Sequence, residues 1–545
     1  MIKMDLVESS KLKEEINFFL NRGFLLSPDF FIEGVETPLL SKEILESNLK
    51  ISKGLLILNK DMKEILSTKH IENFNWREFE SSLALYEKQK NIKTYPSFID
   101  YLRKYDTIDV NKTILVKSSE EQTQRENGLR VVFSYKEESK ERTIQDFIGF
   151  FNARYKSIES LLRNRRELKN LSSINRIKSK KDKEEVSLIG MVMDKQVTKN
   201  KNIVLTLEDP SGTISVLVSK NKPELYDVAK DLVLDETLGA VGLSGKNIVF
   251  ANNILLPDTP SNKELKKLPD ENYFVVLSDL HVGSTNFLED EFNRFLQWIR
   301  GEVGNEEQRA LAGKISFVFI LGDLVDGVGV YPEQNSELLI KDIYEQYKMC
   351  ADYLRKIPSN IKVIIIPGNH DAMRIAEPQP QLYKDLAAPI WDLPNVTILS
   401  NPSYVNILST KEFPGFDFLL YHGYSFTYYA DVVESIRLNG GVDRADLIMR
   451  FLLQRRHLAP TNVSNLYLPD SNKDALVIDK VPDFFLAGHL HKTMAANHKN
   501  TTMICGSCWQ SKTRFMEKLG IHPEPARVPI VNLQTRNVKI LRFGK

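Results

Sequence analysis

Five runs of apolar, largely β-branched or aromatic residues, Tyr273 to Leu277, Ile315 to Leu321, Ile361 to Ile366, Phe418 to Tyr421 and Phe484 to Leu486, are each followed closely by a short polar motif. In chain order the motifs are Asp279-Leu280-His281, Gly322-Asp323-Leu324-Val325-Asp326, Gly368-Asn369-His370-Asp371, His422-Gly423 and Gly488-His489-Leu490-His491. Apolar runs this short, bounded by Gly, Pro or charged residues, suit strands buried on both faces, and the helical stretches between them favour layered α/β packing. The polar motifs therefore fall where buried strands end, and a rigid scaffold presents its chemistry on loops of that kind.

The donors in these motifs are carboxylates, imidazoles and one amide, with no thiolate. That set suits Mn²⁺, Fe²⁺ or Zn²⁺ better than the strongly hydrated Mg²⁺, which is still a possible occupant. Two such ions about 3.5 to 4 Å apart activate water at neutral pH and neutralise a phosphate during in-line attack, so the motifs describe a two-metal phosphoesterase site. A lone Gly-Asp-Leu-Val-Asp is commonly only a strand-end turn, and a lone His422 commonly a structural histidine. Five of the nine histidines lie inside the motifs, and that concentration at strand ends carries the metal reading.

The 73 basic residues balance 72 acidic ones, and with 42% hydrophobic residues the chain has the composition of an ordinary globular protein. Net charge gives no argument for nucleic acid, which would have to be held by local patches. No window approaches the apolar length of a membrane span, and the first residues have no apolar signal core, so a cytoplasmic protein with no membrane partner is expected. The three cysteines give no disulfide framework; Cys505 and Cys508 are read as structural.

Short helical patterns such as Lys11 to Leu20 and Trp76 to Tyr86 predict a small helical module over 1–90, followed by a charged tether over 91–142. An aromatic-rich helix and basic linker occupy 143–184. Alternating strands over 185–258, punctuated by Asn200-Lys-Asn202 and Asp209-Pro-Ser-Gly212, predict an OB-type β-barrel. The barrel has only Tyr226 and Phe250 as aromatics for base stacking, so a docking or structural use is as well supported as strand binding. The α/β phosphoesterase sandwich, with layered sheets and flanking helices, is expected over 270–545. Arg374, Arg455 and Arg456, with Lys512 and Arg514, are the candidate phosphate contacts, against the simpler view that they are surface charges.

The five motifs resemble the calcineurin-like metallophosphoesterase family. The resemblance implies that Asp279, His281 and His491 hold a first metal, that Asn369, His422 and His489 hold a second, and that Asp323 bridges the two. His370 would be a catalytic imidazole that binds no metal, with Asp326 and Asp371 orienting the groups around it. Further segments, Asp326-Gly-Val-Gly-Val-Tyr-Pro332, Glu377-Pro-Gln-Pro380, Arg455-Arg-His-Leu-Ala-Pro460 and Trp509-Gln-Ser-Lys-Thr513, resemble the small subunits of archaeal D-family DNA polymerases. That resemblance covers most of 143–540. It implies a two-metal 3′ to 5′ exonuclease, for which Mn²⁺ is the favoured ion of that donor set, acting on DNA with a 3′ end beside a large catalytic subunit. Two departures stand out: Tyr424-Ser-Phe-Thr-Tyr-Tyr429 is more aromatic than the family pattern, and Cys508 precedes Trp509 where Thr is usual. A non-catalytic scaffold subunit and a metallophosphatase acting on protein or nucleotide are the alternatives.

Overall fold

The computed structural model describes residues 24–26, 56–58, 128–137, 141–470 and 473–544, and the chain divides into two units, 1–120 and 121–545. In the first unit β1 (Phe24–Leu26) and β2 (Leu56–Leu58) pair in parallel. The helical patterns predicted around them within 1–90 lie outside the described residues.

In the second unit the stretch predicted as a tether is described from Gly128, and there it forms a strand, β3 (Leu129–Ser134). Its apolar residues sit among charged neighbours, which hid the strand from a periodicity reading. Helix α1 (Ile144–Arg163) begins with a capping box between Thr143 and Asp146. The barrel strands are β4 (Glu185–Val197), β5 (Ile203–Asp209), β6 (Gly212–Val218), β7 (Thr237–Gly245) and β8 (Ile248–Leu255). They close in the order β4-β5-β6-β8-β7, with β6 and β8 parallel, which is the predicted OB-type barrel. At the β5–β6 turn Asp209 Oδ1 accepts from the amides of Ser211 and Gly212, so the side chain itself builds the reversal.

The remaining strands are β9 (Tyr273–Leu277), β10 (Ile315–Leu321), β11 (Lys362–Ile366), β12 (Val396–Ile398), β13 (Ser403–Ile407), β14 (Phe416–Leu420), β15 (Phe484–Ala487), β16 (Met494–His498), β17 (Thr501–Cys505), β18 (Arg527–Asn532) and β19 (Val538–Arg542). They form two six-stranded sheets, ordered β12-β11-β10-β9-β18-β19 and β16-β17-β15-β14-β13-β3. The first sheet is parallel from β12 to β9, and β14, β15 and β17 are parallel in the second. Alternate residues of each strand face opposite sides. Phe274 and Val276 point into the core between the sheets, while Val275 and Leu277 pack under the helices α2 (Glu289–Ile299) and α3 (Ile343–Leu354). Helix α4 (Ala445–Arg455) covers the outer face of the second sheet. The result is the expected layered sandwich. At its centre Phe274 meets Phe319, Phe418 and Phe484 edge-on, with ring centroids 5.5, 5.1 and 5.0 Å away, the geometry that ring quadrupoles favour.

Helix α1 joins barrel and sandwich. Its Tyr155, Ile158 and Leu162 pack on Ile189 and Leu255 of the barrel. On the sandwich side the Arg154 guanidinium is 2.6 Å from Asp474, and Phe150 stacks on Tyr467 at 5.2 Å. No helix among the described residues is long and apolar enough to cross a membrane.

Candidate metal centre

Because β9, β10 and β11 are adjacent and parallel, their ends deliver three motifs to one edge of the first sheet, and the ends of β14 and β15 bring the other two from the second sheet. Backbone hydrogen bonds continue past the strands and fix the motifs to one another. The Asp279 amide donates to the Gly322 carbonyl at 3.0 Å, His281 to Asp323 at 3.0 Å, and Gly488 to His422 at 2.9 Å. Side chains tie the set together further: His489 N donates across the sheets to Asp279 Oδ2 at 2.9 Å, and within the first sheet His370 N donates to Asp323 Oδ1 at 2.7 Å.

Five of the motif residues adopt left-handed backbone: Asp279 (φ 52°), His281 (53°), Asp323 (53°), His489 (70°) and His491 (56°). Such values are uncommon for residues with a Cβ, and their concentration at one place marks a site whose geometry the surrounding fold imposes. Gly368 and Gly488 allow the close approach. A Cβ on Gly368 would collide with Asp323 and His422, and one on Gly488 with Ser278 and Asp279.

The side chains form three overlapping groups, each with its potential ligand atoms within 4.8 Å of one another: Asp279, His281 and His491; Asp323, His422 and His489; and His281, Asp323 and His370. His281 Nε2 lies 3.1 Å from His491 Nε2, which in turn is 3.3 Å from Asp279 Oδ1. Asp323 Oδ2 is 3.4 Å from His422 Nε2 and 3.9 Å from His281 Nε2, and Asn369 Oδ1 is 2.9 Å from His422 Nε2. Asp279 Oδ1 is buried without a hydrogen-bond donor, and two imidazole nitrogens point at each other beside it. A cation among them would satisfy the orphaned carboxylate oxygen and both ring nitrogens at once. The donor set therefore fits divalent metal ions, and Asp323 is shared between the groups on either side.

The charges are strongly coupled. Burial would raise the Asp323 carboxyl, but the imidazoles of His422, His370 and His281 hold it well below the usual range. Burial would likewise lower His422, yet Asp323 and Asp279 push it up to about 10. His489 is lowered to about 3 by burial and by the neighbouring His422. The charge held by His422 stands in for the positive charge that the carboxylates require.

A surrounding layer orients the donors. Asp326 accepts from His281 Nδ1 (3.1 Å), from Gln334 Nε2 (2.9 Å) and from Gln510 Nε2 (2.9 Å), and its backbone carbonyl is 2.8 Å from His370 Nδ1. A carbonyl can only accept, so Nδ1 of His370 carries the proton in that bond. Asp371 accepts from the amides of Asp323, Leu324 and Gly368, and so fixes the turns rather than the His370 ring. Burial and the Asp323 charge raise its pKa to about 7. Buried Glu377 accepts from Tyr421, Asn401 and Asn465, and Asn401 Oδ1 accepts from the His422 amide at 2.9 Å. The five metal motifs gave no sign of Gln334 or Asn401, and although Glu377 and Gln510 lie in segments quoted for their resemblance, nothing local in the sequence shows that they orient the donors. Cys508, read as structural, is buried near His491, and with Asp279 it raises that imidazole against the lowering effect of burial.

The three arginines expected to contact phosphate are engaged elsewhere. Arg455 is buried with its Nε 2.9 Å from Glu236 of the barrel, and Arg456 is buried donating to the carbonyls of Ile478 (2.7 Å) and Asp479 (2.5 Å). Arg374 is paired with Glu137 and donates to the carbonyls of Ala376 and Pro378. Sequence shows their charge but not the acceptors that fold against them. Lys512 and Arg514 are exposed.

Residues 273–493 match the family model described as calcineurin-like phosphoesterase. The chain is 40% identical over 401 residues to the DNA polymerase II small subunit of Methanothermobacter thermautotrophicus, an alignment covering 74% of this chain and 80% of that protein. It is 37% identical to the DNA polymerase II small subunit of Methanocaldococcus jannaschii over 72% of this chain and 64% of that one, just under two thirds of the relative's length. With the Pyrococcus horikoshii DNA polymerase II small subunit the identity is 33% over 84% of this chain and 73% of the relative.

Proposed function

This chain belongs to the family of the DNA polymerase II small subunits, and from that premise we propose that its phosphoesterase centre is a 3′ to 5′ exonuclease acting on DNA. The observation that supports this most strongly is the position of Asp323, whose carboxylate belongs to ligand groups on both sides of it. In this reading Asp279, His281 and His491 would hold one divalent ion, Asn369, His422 and His489 would hold the other, and Asp323 is placed to serve both groups. Bound there, ions such as Mn²⁺ would lower the pKa of water and offset charge on the phosphate.

The protein's own groups do the rest. His370, anchored through Nδ1–H to the Asp326 carbonyl, would take up on Nε2 the proton released by the attacking water and, as imidazolium, stabilise the transition state or protonate the leaving oxygen. Water adds to phosphorus, the P–O3′ bond breaks, and the proton ends on O3′. Asp326 and Asp371 hold His281 and the turn at Asp323 in place, which keeps the donors in register without binding an ion themselves. The partner in this reading is a large subunit that carries polymerisation, so that the chain proofreads for it.

The test is to incubate the purified chain with Mn²⁺ and a 5′-labelled single strand, beside the Asp323→Ala variant, and to resolve products by length. A ladder shortening from the 3′ end, absent in the variant, is expected. Absence of cleavage after addition of the large subunit would overturn the proposal in favour of a scaffold role, and turnover of small monoesters without DNA cleavage would point to a phosphatase.

A further inference from the structure

We propose that the stacked rings of Tyr331 and Phe515 form a nucleobase-binding platform beside the centre, taking the base of a nucleotide joined to the scissile phosphate. This rests on the nuclease reading above and names the part of the substrate that the centre grips other than the phosphate.

Tyr331 lies on the loop that follows the second motif, with its ring centroid 6.1 Å from that of His370. His370 in turn meets His281 edge-on at 4.6 Å, so Tyr331 is one ring removed from the proposed metal ligands. The other neighbour of Tyr331 is Phe515, stacked at 5.0 Å with 25° between the planes. Phe515 comes from a different part of the chain, the short helix Arg514–Lys518, and is 37% exposed. Two aromatic rings from distant segments thus meet beside the site, and over a third of the Phe515 residue surface is open to solvent. A pair serving only the core would be covered.

The pair is held from below by one carboxylate. Glu337 is buried; its Oε2 accepts from the Tyr331 hydroxyl at 3.0 Å and its Oε1 from the Arg514 amide at 2.9 Å. The same side chain therefore fixes the loop bearing Tyr331 and the helix bearing Phe515. Gln334 extends that loop's anchorage to the centre, accepting from Val330 N and donating to Asp326. A rigid aromatic face with this support stacks bases with little ordering cost, and it does so whatever the sequence because every base has a π-face. The exposed cations Lys512 and Arg514 on the adjoining segment suit the strand's neighbouring phosphates. A base can use such a platform only when it has left the helical stack, so a frayed or mismatched end is favoured over a paired one.

The experiment compares Mn²⁺-dependent shortening of two single strands, one ordinary and one whose last two residues carry abasic tetrahydrofuran sugars, by the full chain and by its Phe515→Leu and Tyr331→Leu variants. Rates on the two strands are taken as a ratio from one enzyme preparation, so any loss of folded protein cancels. The wild-type chain is expected to prefer the base-bearing strand by roughly five-fold or more, and either variant to bring the ratio towards one. Equal rates on the two strands, or a preference that both variants retain, would overturn the platform while leaving the nuclease standing. Failure to shorten either strand, with the large subunit present, would remove the nuclease reading and the platform with it.

Discussion

Arg455 Nε lies 2.9 Å from the Glu236 carboxylate, with both side chains almost wholly buried, and this pair fastens the sandwich helix α4 to the barrel. The guanidinium also sits over the Phe451 ring at 3.4 Å and donates to the Asp231 carbonyl at 3.0 Å. Removing one member of such a pair leaves the other charge buried without a partner, at a cost of about 3 to 5 kcal/mol. Arg455→Leu is expected to lose stability of that order in urea unfolding, and the double variant Arg455→Leu/Glu236→Leu to lose less. A single-variant loss below about 1 kcal/mol would mean that the pair is solvated and the fastening lies elsewhere.

His370→Ala is expected to lower the rate of DNA hydrolysis about 100- to 10,000-fold while metal content stays unchanged. Elemental analysis of the purified variant beside its kinetics separates the two effects. Loss of an ion together with the rate would reassign His370 as a ligand, consistent with its grouping beside His281 and Asp323.

Asp326→Ala removes the carboxylate that accepts from His281, Gln334 and Gln510. Loss of such outer support typically weakens metal binding about 10- to 100-fold. The Mn²⁺ concentration giving half-maximal activity should rise by that factor, with the rate largely recovered at saturation. An unchanged Mn²⁺ titration would show that His281 is held by its strand-end backbone alone.

Acid sensitivity should concentrate at Asp474. Burial would raise this carboxyl, but Arg154 and His457 hold it below its ordinary value of 3.8. A folded pKa below the unfolded one contributes stability that is present above pH 3.8 and is lost as pH falls through the folded value. Asp474→Asn should therefore be less stable than the parent at neutral pH, with the gap narrowing only below about pH 4. Melting both proteins across pH 3 to 7 checks this, and a gap that is constant over the whole range would rule it out.

The centre was legible because its motifs each follow an apolar run, and a buried parallel strand has little else to be made of. Val275 and Phe274 show why the same runs could not reveal which sheet face is which: both sides of β9 are covered, so alternation carries no polarity signal. The barrel was legible for the opposite reason, its strands alternating clearly. β3 was hidden because Leu129–Ser134 acquires its meaning only by pairing with β13, whose residues lie far along the chain. Arg455 and Arg456 were expected at a phosphate and instead lie buried, because a charge in sequence looks the same whether it faces solvent or an acceptor such as Glu236. Glu337 is the limiting case: its two contacts, Tyr331 and Arg514, come from separate segments, and nothing local announces them.

Asp279, His281, Asp323 and Asn369 follow strands of one sheet, while His422, His489 and His491 follow strands of the other. On the proposed reading, cations held by all seven would be a clasp across the seam of the sandwich. A chelator would then be expected to loosen the fold as well as stop the chemistry, and slippage of the sheets against each other to silence the centre before the chain unfolds.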